Sequence, residues 1–228
     1  MRSPAGRPLL VALLATGVLA EPLVAQRLAG ADSAAIDAGR QVVRAEDVPG
    51  SSWPRVTVYQ YIAATPVEAA AVFVDYDRHA GFLPKVKKSQ VSRVVDPSTA
   101  EVDYTLDVPI VSDESYTVRN RVTREVAADS TGADTFQVEW TLVRATTTKA
   151  ADGSARFEPY RDGTLLTYRN LVVPGSRLAG LGFIRGRAQR EVEATARALG
   201  ERVLQMRTGD RTLLDEQVSA LRTMTGAR

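Results

Sequence analysis

An alternation of apolar and polar side chains, with a period of two, runs through the middle of the chain. It is clearest at Val102, Tyr104 and Leu106, which alternate with charged and hydroxyl residues. Because successive side chains of a strand point to opposite faces, the pattern predicts an antiparallel sheet of about six to seven strands, buried on one face and solvated on the other. The same alternation recurs in three further segments (56–62, 116–126 and 136–142), and residues 164–173 are predicted to form the last strand.

Helical patterns flank this strand-rich region. Thr65, Pro66 and Glu68 form a helix start, in which the threonine caps, the proline suits the first turn and the glutamate completes a capping box. This helix is predicted to end near Asp75, and a second short helix follows it up to Phe82. Near the C-terminus, a three- and four-residue apolar spacing predicts a long amphipathic helix over residues 187–206: Ala188, Val192, Ala196, Leu199, Val203 and Met206.

Turn signals and the last residues complete the predicted order of elements. Residues 151–153 (ADG) predict a turn, and Asp162-Gly163 is a hairpin signal. Residues 208–228 are predicted either to fray or to add a further helix. Its apolar positions are Leu213, Leu214, Val218 and Leu221.

A sheet with one apolar face must cover that face with another element. The last long helix is the only candidate, so we predict an α+β fold in which a curved antiparallel sheet wraps around it. Two short helices after the first strand close one end. Polar and aromatic side chains on the buried face of the strands are candidates to line a ligand cavity. The alternative for the aromatic residues is plain core packing, and the alternative for Arg124 is a position at the end of its strand. The candidates are Tyr104, Tyr116, Asn120, Arg124, Trp140 and Tyr168.

The N-terminus has the pattern of a secretory signal peptide. Arg2 and Arg7 precede a short apolar run over residues 9–20, and cleavage is expected after Ala20 or Ala25. The run is shorter than the roughly 20 apolar residues of a membrane span, although an uncleaved anchor is the alternative. We therefore expect a periplasmic or secreted protein.

Composition excludes several kinds of chemistry. The chain has no cysteine, which removes disulfides, thiolate catalysis and cysteine-ligated metals. Its single histidine, His79, is expected to be solvated or to cap a helix rather than to act in catalysis, and no metal or cofactor is indicated. Asp103 and Asp107 fall on the solvated register, so a cavity-facing acid–base pair is not predicted. The net charge of +2 gives no case for nucleic acid.

Several short motifs resemble one family of proteins. They are the stretches 61–68 (YIAATPVE), 74–77 (VDYD), 82–84 (FLP) and the hairpin 162–164 (DGT). With the order of elements, they resemble the START-like superfamily, also called SRPBCC or the Bet v 1-like helix-grip fold, and most of all its polyketide cyclase and coenzyme-Q-binding branch. The N-terminal pattern, the order of elements and this resemblance together predict four parts: a signal peptide (1–25), a lead-in (26–38), a helix-grip domain (39–207) and a helical extension (208–228).

The resemblance implies an apolar ligand held between sheet and helix. We therefore expect a monomeric carrier for a lipid, an isoprenoid quinone or a polyketide-like molecule, without a catalytic residue. An aromatase/cyclase acting through Asn120, Arg124 or a tyrosine is one alternative. Another is a protein-interaction module with a filled cavity, which would contact its partner through residues 208–228. A loop before the long helix carries three apolar residues among glycines and arginines: Leu178, Phe183 and Ile184. We expect all three to make transient membrane contact and Phe183 also to contact the ligand. The alternative is that this loop packs against the rest of the fold.

Overall fold

The computed structural model describes residues 28, 30–51, 53–107, 113–127, 132–175 and 182–226. Within the last range, the side chains of residues 182–185, 187 and 188 lie outside the description. The predicted signal peptide also lies outside the described residues. The described helices include none that is long and apolar enough to cross a membrane.

Eight strands form one antiparallel sheet in the order β1-β2-β8-β7-β6-β5-β4-β3. The predicted fold class is confirmed, with one strand more than the upper number expected. Consecutive strands from β3 to β8 are antiparallel neighbours, and β2 pairs with β8. The strands are β1 Val42–Glu46, β2 Arg55–Ile62, β3 Val86–Asp96, β4 Thr99–Leu106, β5 Glu114–Glu125, β6 Thr135–Ala145, β7 Ala150–Tyr160 and β8 Gly163–Val173.

The helices pack mainly on one side of this sheet, which we call the inner face. The first helix, α1, instead covers the outer face at β2 and β8, where Ile36 packs with Tyr59 and Leu165. The lead-in therefore contributes a small second core. The helices are α1 Gly30–Asp37, α2 Pro66–Val74, a 3₁₀ helix Tyr76–Gly81, α3 Gly182–Gly209 and α4 Arg211–Met224.

The predicted capping box of α2 is confirmed, and its glutamate does more than cap. The Thr65 hydroxyl accepts from the Glu68 amide at 3.4 Å, and the Glu68 carboxylate accepts from the Thr65 amide at 2.9 Å. The same buried carboxylate pairs with Arg207 of α3 at 3.5 Å and with Arg211 of α4 at 2.6 Å. One side chain thus ties together three helices.

The predicted apolar stripe of α3 is confirmed from Val192 onward, where it is buried on the inner side. The helix begins earlier than predicted, at Gly182. Gly200 lies where α3 crosses β2, and a Cβ there would meet the Gln60 side chain. The small glycine therefore leaves room for the end of the Gln60 side chain between α3 and β2.

Residues 211–224 form a helix whose apolar side is part of the main core. Leu214 and Leu221 are fully buried, and Val218 lies beside them. Asp210 caps this helix by accepting from the Leu213 amide at 3.2 Å. The protein-interaction hypothesis assigned these leucines to a partner, whereas the structure packs them within the chain itself.

The predicted turn at residues 151–153 is wrong, because these residues lie inside β7. Gly153 stands opposite Trp140 of β6, and the indole ring lies over the glycine where a Cβ would collide with it. The Asp152 carboxylate, which suggested a turn, accepts from the Leu142 amide at 3.4 Å. A tertiary contact thus requires a residue type that the sequence pattern associates with turns.

Candidate functional site

The inner face carries a cluster of aromatic side chains gathered around Phe73 of α2. The Phe73 ring centroid lies 5.9 Å from that of Trp140 and 6.3 Å from that of Tyr168. The Trp140 and Tyr168 rings are 5.4 Å apart, and Tyr104 and Tyr116 form a second pair at 5.7 Å. Such separations suit offset or tilted aromatic pairs. The structure thus brings together the four aromatic residues that were predicted from β4, β5, β6 and β8.

His79 joins the two aromatic pairs from the 3₁₀ helix. The prediction of a solvated histidine is wrong, because the residue is only 2% exposed, whereas the capping alternative agrees with the structure, since the ring reaches a carbonyl in the last turn of α2. Its Nε2 lies 2.7 Å from the Phe73 carbonyl oxygen, and its Nδ1 lies 2.8 Å from the Tyr104 hydroxyl. Since a carbonyl only accepts, Nε2 carries the proton, and the Tyr104 hydroxyl donates to Nδ1.

Burial sets the protonation state of these groups. Desolvation lowers the pKa of His79 to about 4, so the imidazole is neutral at physiological pH. Desolvation also raises the pKa of Tyr116 to about 12 and shifts those of Tyr104 and Tyr168 upward. The phenols therefore keep their protons and can act as hydrogen-bond donors. The cluster is therefore an uncharged part of the core that carries several hydrogen-bonding groups.

Asn120 lies on the inner face of β5, between Ala100 and Trp140 in the register of the sheet. It is 3% exposed, and its Nδ2 has no hydrogen-bond partner. A buried polar atom without a partner costs roughly 1–3 kcal/mol. Among the described residues, the hydroxyls of Tyr116 and Tyr168 have no partner either. Three donors on one face therefore have no partner among the described residues.

Asn170 was not identified from the sequence. It lies on β8 opposite Gly153, in the same row across the sheet as Trp140 and Asn120, and its buried Oδ1 has no partner. The available signal was its position two residues after Tyr168, which places both on one face of the strand. The row therefore carries an unpaired acceptor as well as an unpaired donor.

Arg124 lies apart from this cluster. Its Nε donates to the Asp134 carboxylate at 2.5 Å, across the hairpin that joins β5 to β6. The guanidinium is thus held at the strand end, which agrees with the alternative given for it. On the outer face, Asp103 accepts from Thr117 at 2.5 Å and from Arg144 at 3.0 Å, so this carboxylate does not face the cluster.

The predicted membrane-contact residues stay predictions. Phe183 and Ile184 belong to the first turn of α3, but their side chains lie outside the description, and so does all of Leu178. Farther along α3, Glu191 pairs with Lys85, which connects the residue before β3 to the described part of the helix.

Comparison with solved structures confirms the predicted fold. A STAR-related lipid transfer protein from Xanthomonas axonopodis matches with a TM-score of 0.61 and 19% identity over 72% of this chain and 94% of that chain. Human STARD10 matches with a TM-score of 0.63 and 11% identity over 80% of this chain and 76% of that chain. The di-domain aromatase/cyclase StfQ of the steffimycin pathway matches with a TM-score of 0.50 and 15% identity over 68% and 51%.

The protein therefore has the START-like helix-grip fold. At these identities the likeness defines the fold alone, and the names of the similar structures include both lipid transfer and cyclisation. No protein-family model matches the sequence, and no curated protein matches it. The function has to be argued from the inner face itself.

Proposed function

We propose that this protein binds an apolar small molecule between the inner face of the sheet and α3. The observation that carries the proposal is the unpaired, buried Nδ2 of Asn120 within an aromatic surface. A ligand acceptor near this amide would remove the cost of burying it. The rings of Phe73, Trp140 and Tyr168 supply the apolar contact area that small-molecule sites use.

The ligand is a carried molecule rather than a substrate in this proposal. The aromatase/cyclase alternative relied on Asn120, Arg124 or a tyrosine to assist the reaction. Arg124 is committed to Asp134, and the buried tyrosines keep high pKa values because they are desolvated. These groups suit hydrogen bonding to a neutral ligand, such as a quinone, an ester or an alcohol, better than proton abstraction.

Ligand binding is tested first by native mass spectrometry and lipid extraction of the protein from its own compartment. Affinity is then measured with decylubiquinone as the probe, by quenching of Trp140 fluorescence in a Trp53→Phe background. Asn120→Leu is expected to weaken binding about fivefold to tenfold, since one hydrogen bond is lost. Thr123→Val, on the outer face of the same strand, is the matched control and should bind as tightly as the parent.

Two results would contradict this proposal. One is that no small molecule copurifies and that decylubiquinone, palmitic acid and cholesterol all fail to bind. The other is that Asn120→Leu and Thr123→Val change affinity equally. Circular dichroism of both variants checks that each is folded.

We also propose that the protein works outside the cytoplasm. Support comes from Arg2, Arg7 and the apolar run over residues 9–20, which together have the form of a signal peptide. Fractionation of the native host, followed by N-terminal sequencing, should give a mature chain that begins after Ala20 or Ala25. A full-length chain in the cytoplasmic fraction would overturn this assignment.

A further inference from the structure

A second concave feature lies away from the aromatic cluster, and we call it the α4 groove. It has a volume of about 340 Å³ and lies between α4, the α2–3₁₀ junction and the β3–β4 hairpin. Ala100 and Val122 mark its position on the sheet, whereas Tyr104 and Tyr116 lie toward the other ends of the same two strands. Its apolar walls include Val74, Val94, Ala100, Val122, Leu213 and Met224.

Gln217 of α4 lines the groove and has an unmet hydrogen-bonding need. The side chain is 7% exposed, and its Nε2 donates to the Asp75 carboxylate at 2.5 Å. An ionised carboxylate only accepts, so the amide cannot turn around, and Oε1 is left without a donor. Arg78 also donates to both oxygens of Asp75, at 3.1 and 2.8 Å, so the carboxylate is held between the guanidinium and the amide. Because Gln217 lines the groove, a molecule bound there can supply the donor that Oε1 lacks.

The charges around the groove favour a cation. Among the lining residues, four carboxylates (Asp75, Asp77, Asp96 and Glu216) stand against one guanidinium, which gives a net charge of −3, and Arg121, outside the lining, adds one positive charge near Asp96. The guanidinium of Arg78 is already engaged by Asp75. Glu216 has no ion pair among the described residues, and Asp77 accepts only the Val91 amide, at 2.6 Å. An acidic rim therefore surrounds an apolar floor that holds one unpaired acceptor.

We propose that the α4 groove binds a primary amine with an apolar tail. The ammonium group supplies N–H donors for Gln217 Oε1 and for the rim carboxylates, and the alkyl chain lies on the valine and methionine side chains. An alcohol satisfies only the hydrogen bond, and a fatty acid anion is repelled by the rim. This site is separate from the one between the sheet and α3, and its ligand is of a different class.

The test uses the full mature protein and three probes with one tail length: octylamine, octanol and octanoate. Isothermal titration calorimetry at low salt should give a dissociation constant for octylamine about tenfold lower than that for octanol, because only the amine pairs with the rim carboxylates. Octanoate should show no measurable binding. Octylamine affinity should fall as salt rises. Backbone amide NMR shifts on octylamine binding should cluster on α4 and the β3–β4 hairpin.

Three variants locate the site. Gln217→Leu should weaken octylamine about fivefold by removing the unpaired acceptor, and Ala220→Trp should abolish binding by filling the groove. Glu216→Gln should weaken the binding of octylamine but leave the binding of octanol unchanged. Glu201→Gln on α3, which makes the same charge change outside the groove, should leave the binding of both probes unchanged. Equal binding of octylamine and octanoate, or unchanged octylamine affinity in Ala220→Trp, overturns the proposal. Decylubiquinone affinity should be unchanged in Ala220→Trp, which separates this proposal from the one above.

Discussion

His79 should make the stability of the fold depend on pH between pH 7 and pH 5. The buried imidazole has a pKa of about 4 in the folded protein, against an ordinary value of 6.5. The unfolded chain therefore takes up a proton first as the pH falls, and the folded state loses stability from about pH 6.5 downward. The full difference corresponds to about 3 kcal/mol, of which about 2 kcal/mol is lost between pH 7 and pH 5.

Carboxyl groups contribute little in this window. Hydrogen bonds lower the pKa of Asp103 beside Thr117 and that of Glu125 beside Arg156. Their stabilisation is present above the unfolded values of 3.8 and 4.5 and is lost as the pH falls through the lower folded values. The interval from pH 7 to pH 5 therefore reports mainly on the single histidine of the chain.

Urea unfolding at pH 7, 6 and 5 measures this effect directly. The parent protein should lose about 2 kcal/mol of unfolding free energy over this range, while His79→Gln should lose less than about 0.5 kcal/mol. Glutamine is the chosen replacement because it can still donate to the Phe73 carbonyl and accept from Tyr104. In the folded parent, the imidazole proton NMR signal should show no titration above about pH 5. Equal pH slopes for the two proteins, or an imidazole that titrates near pH 6.5, would refute the reasoning.

Three further changes probe packing and charge. Gly153→Ala should lower the free energy of unfolding by about 1–3 kcal/mol, measured by thermal unfolding, because the new Cβ collides with Trp140. The control, Gly186→Ala in α3, should be neutral or stabilising. Equal effects of the two substitutions would contradict the assignment of residue 153 to a strand. Leu221→Ala should cost about 2–5 kcal/mol in urea unfolding, since the side chain is fully buried; a loss below about 0.5 kcal/mol would mean that α4 does not pack in the core. Glu68→Gln should cost about 1–2 kcal/mol by weakening the cap and both arginine pairs, and an unchanged melting temperature would exclude that role.

The sequence predicted the order of elements because local rules govern it. The capping box at Thr65 and Glu68 is satisfied within one turn, so no distant residue is needed to define where α2 starts. Likewise, the alternation at Val102 and Tyr104 assigned both residues to the buried face, because strand periodicity depends only on the backbone. The orientation of Trp140 and Asn120 toward the inner face followed from this alternation, whereas their clustering depends on strand order and register.

The errors arose where a distant contact decides the outcome. Residues 151–153 resemble a turn locally, but Trp140 requires a glycine opposite it in β7. His79 has polar neighbours in sequence, yet the Phe73 carbonyl and Tyr104 hold it in the interior. In each case, the deciding partner belongs to another element, which no periodicity can indicate.

The candidate sites divide in the same way. The alternation by itself determined which strand residues face inward, including Asn120. Only the tertiary structure decided that Asn120 Nδ2 and Gln217 Oε1 are left without partners and that Arg124 forms an ion pair with Asp134. The side of the sheet to which a strand residue points depends on the backbone alone and can be predicted from the sequence. Hydrogen-bond satisfaction depends on which atoms meet across strands and helices, and that is settled only when the sheet and the helices pack together.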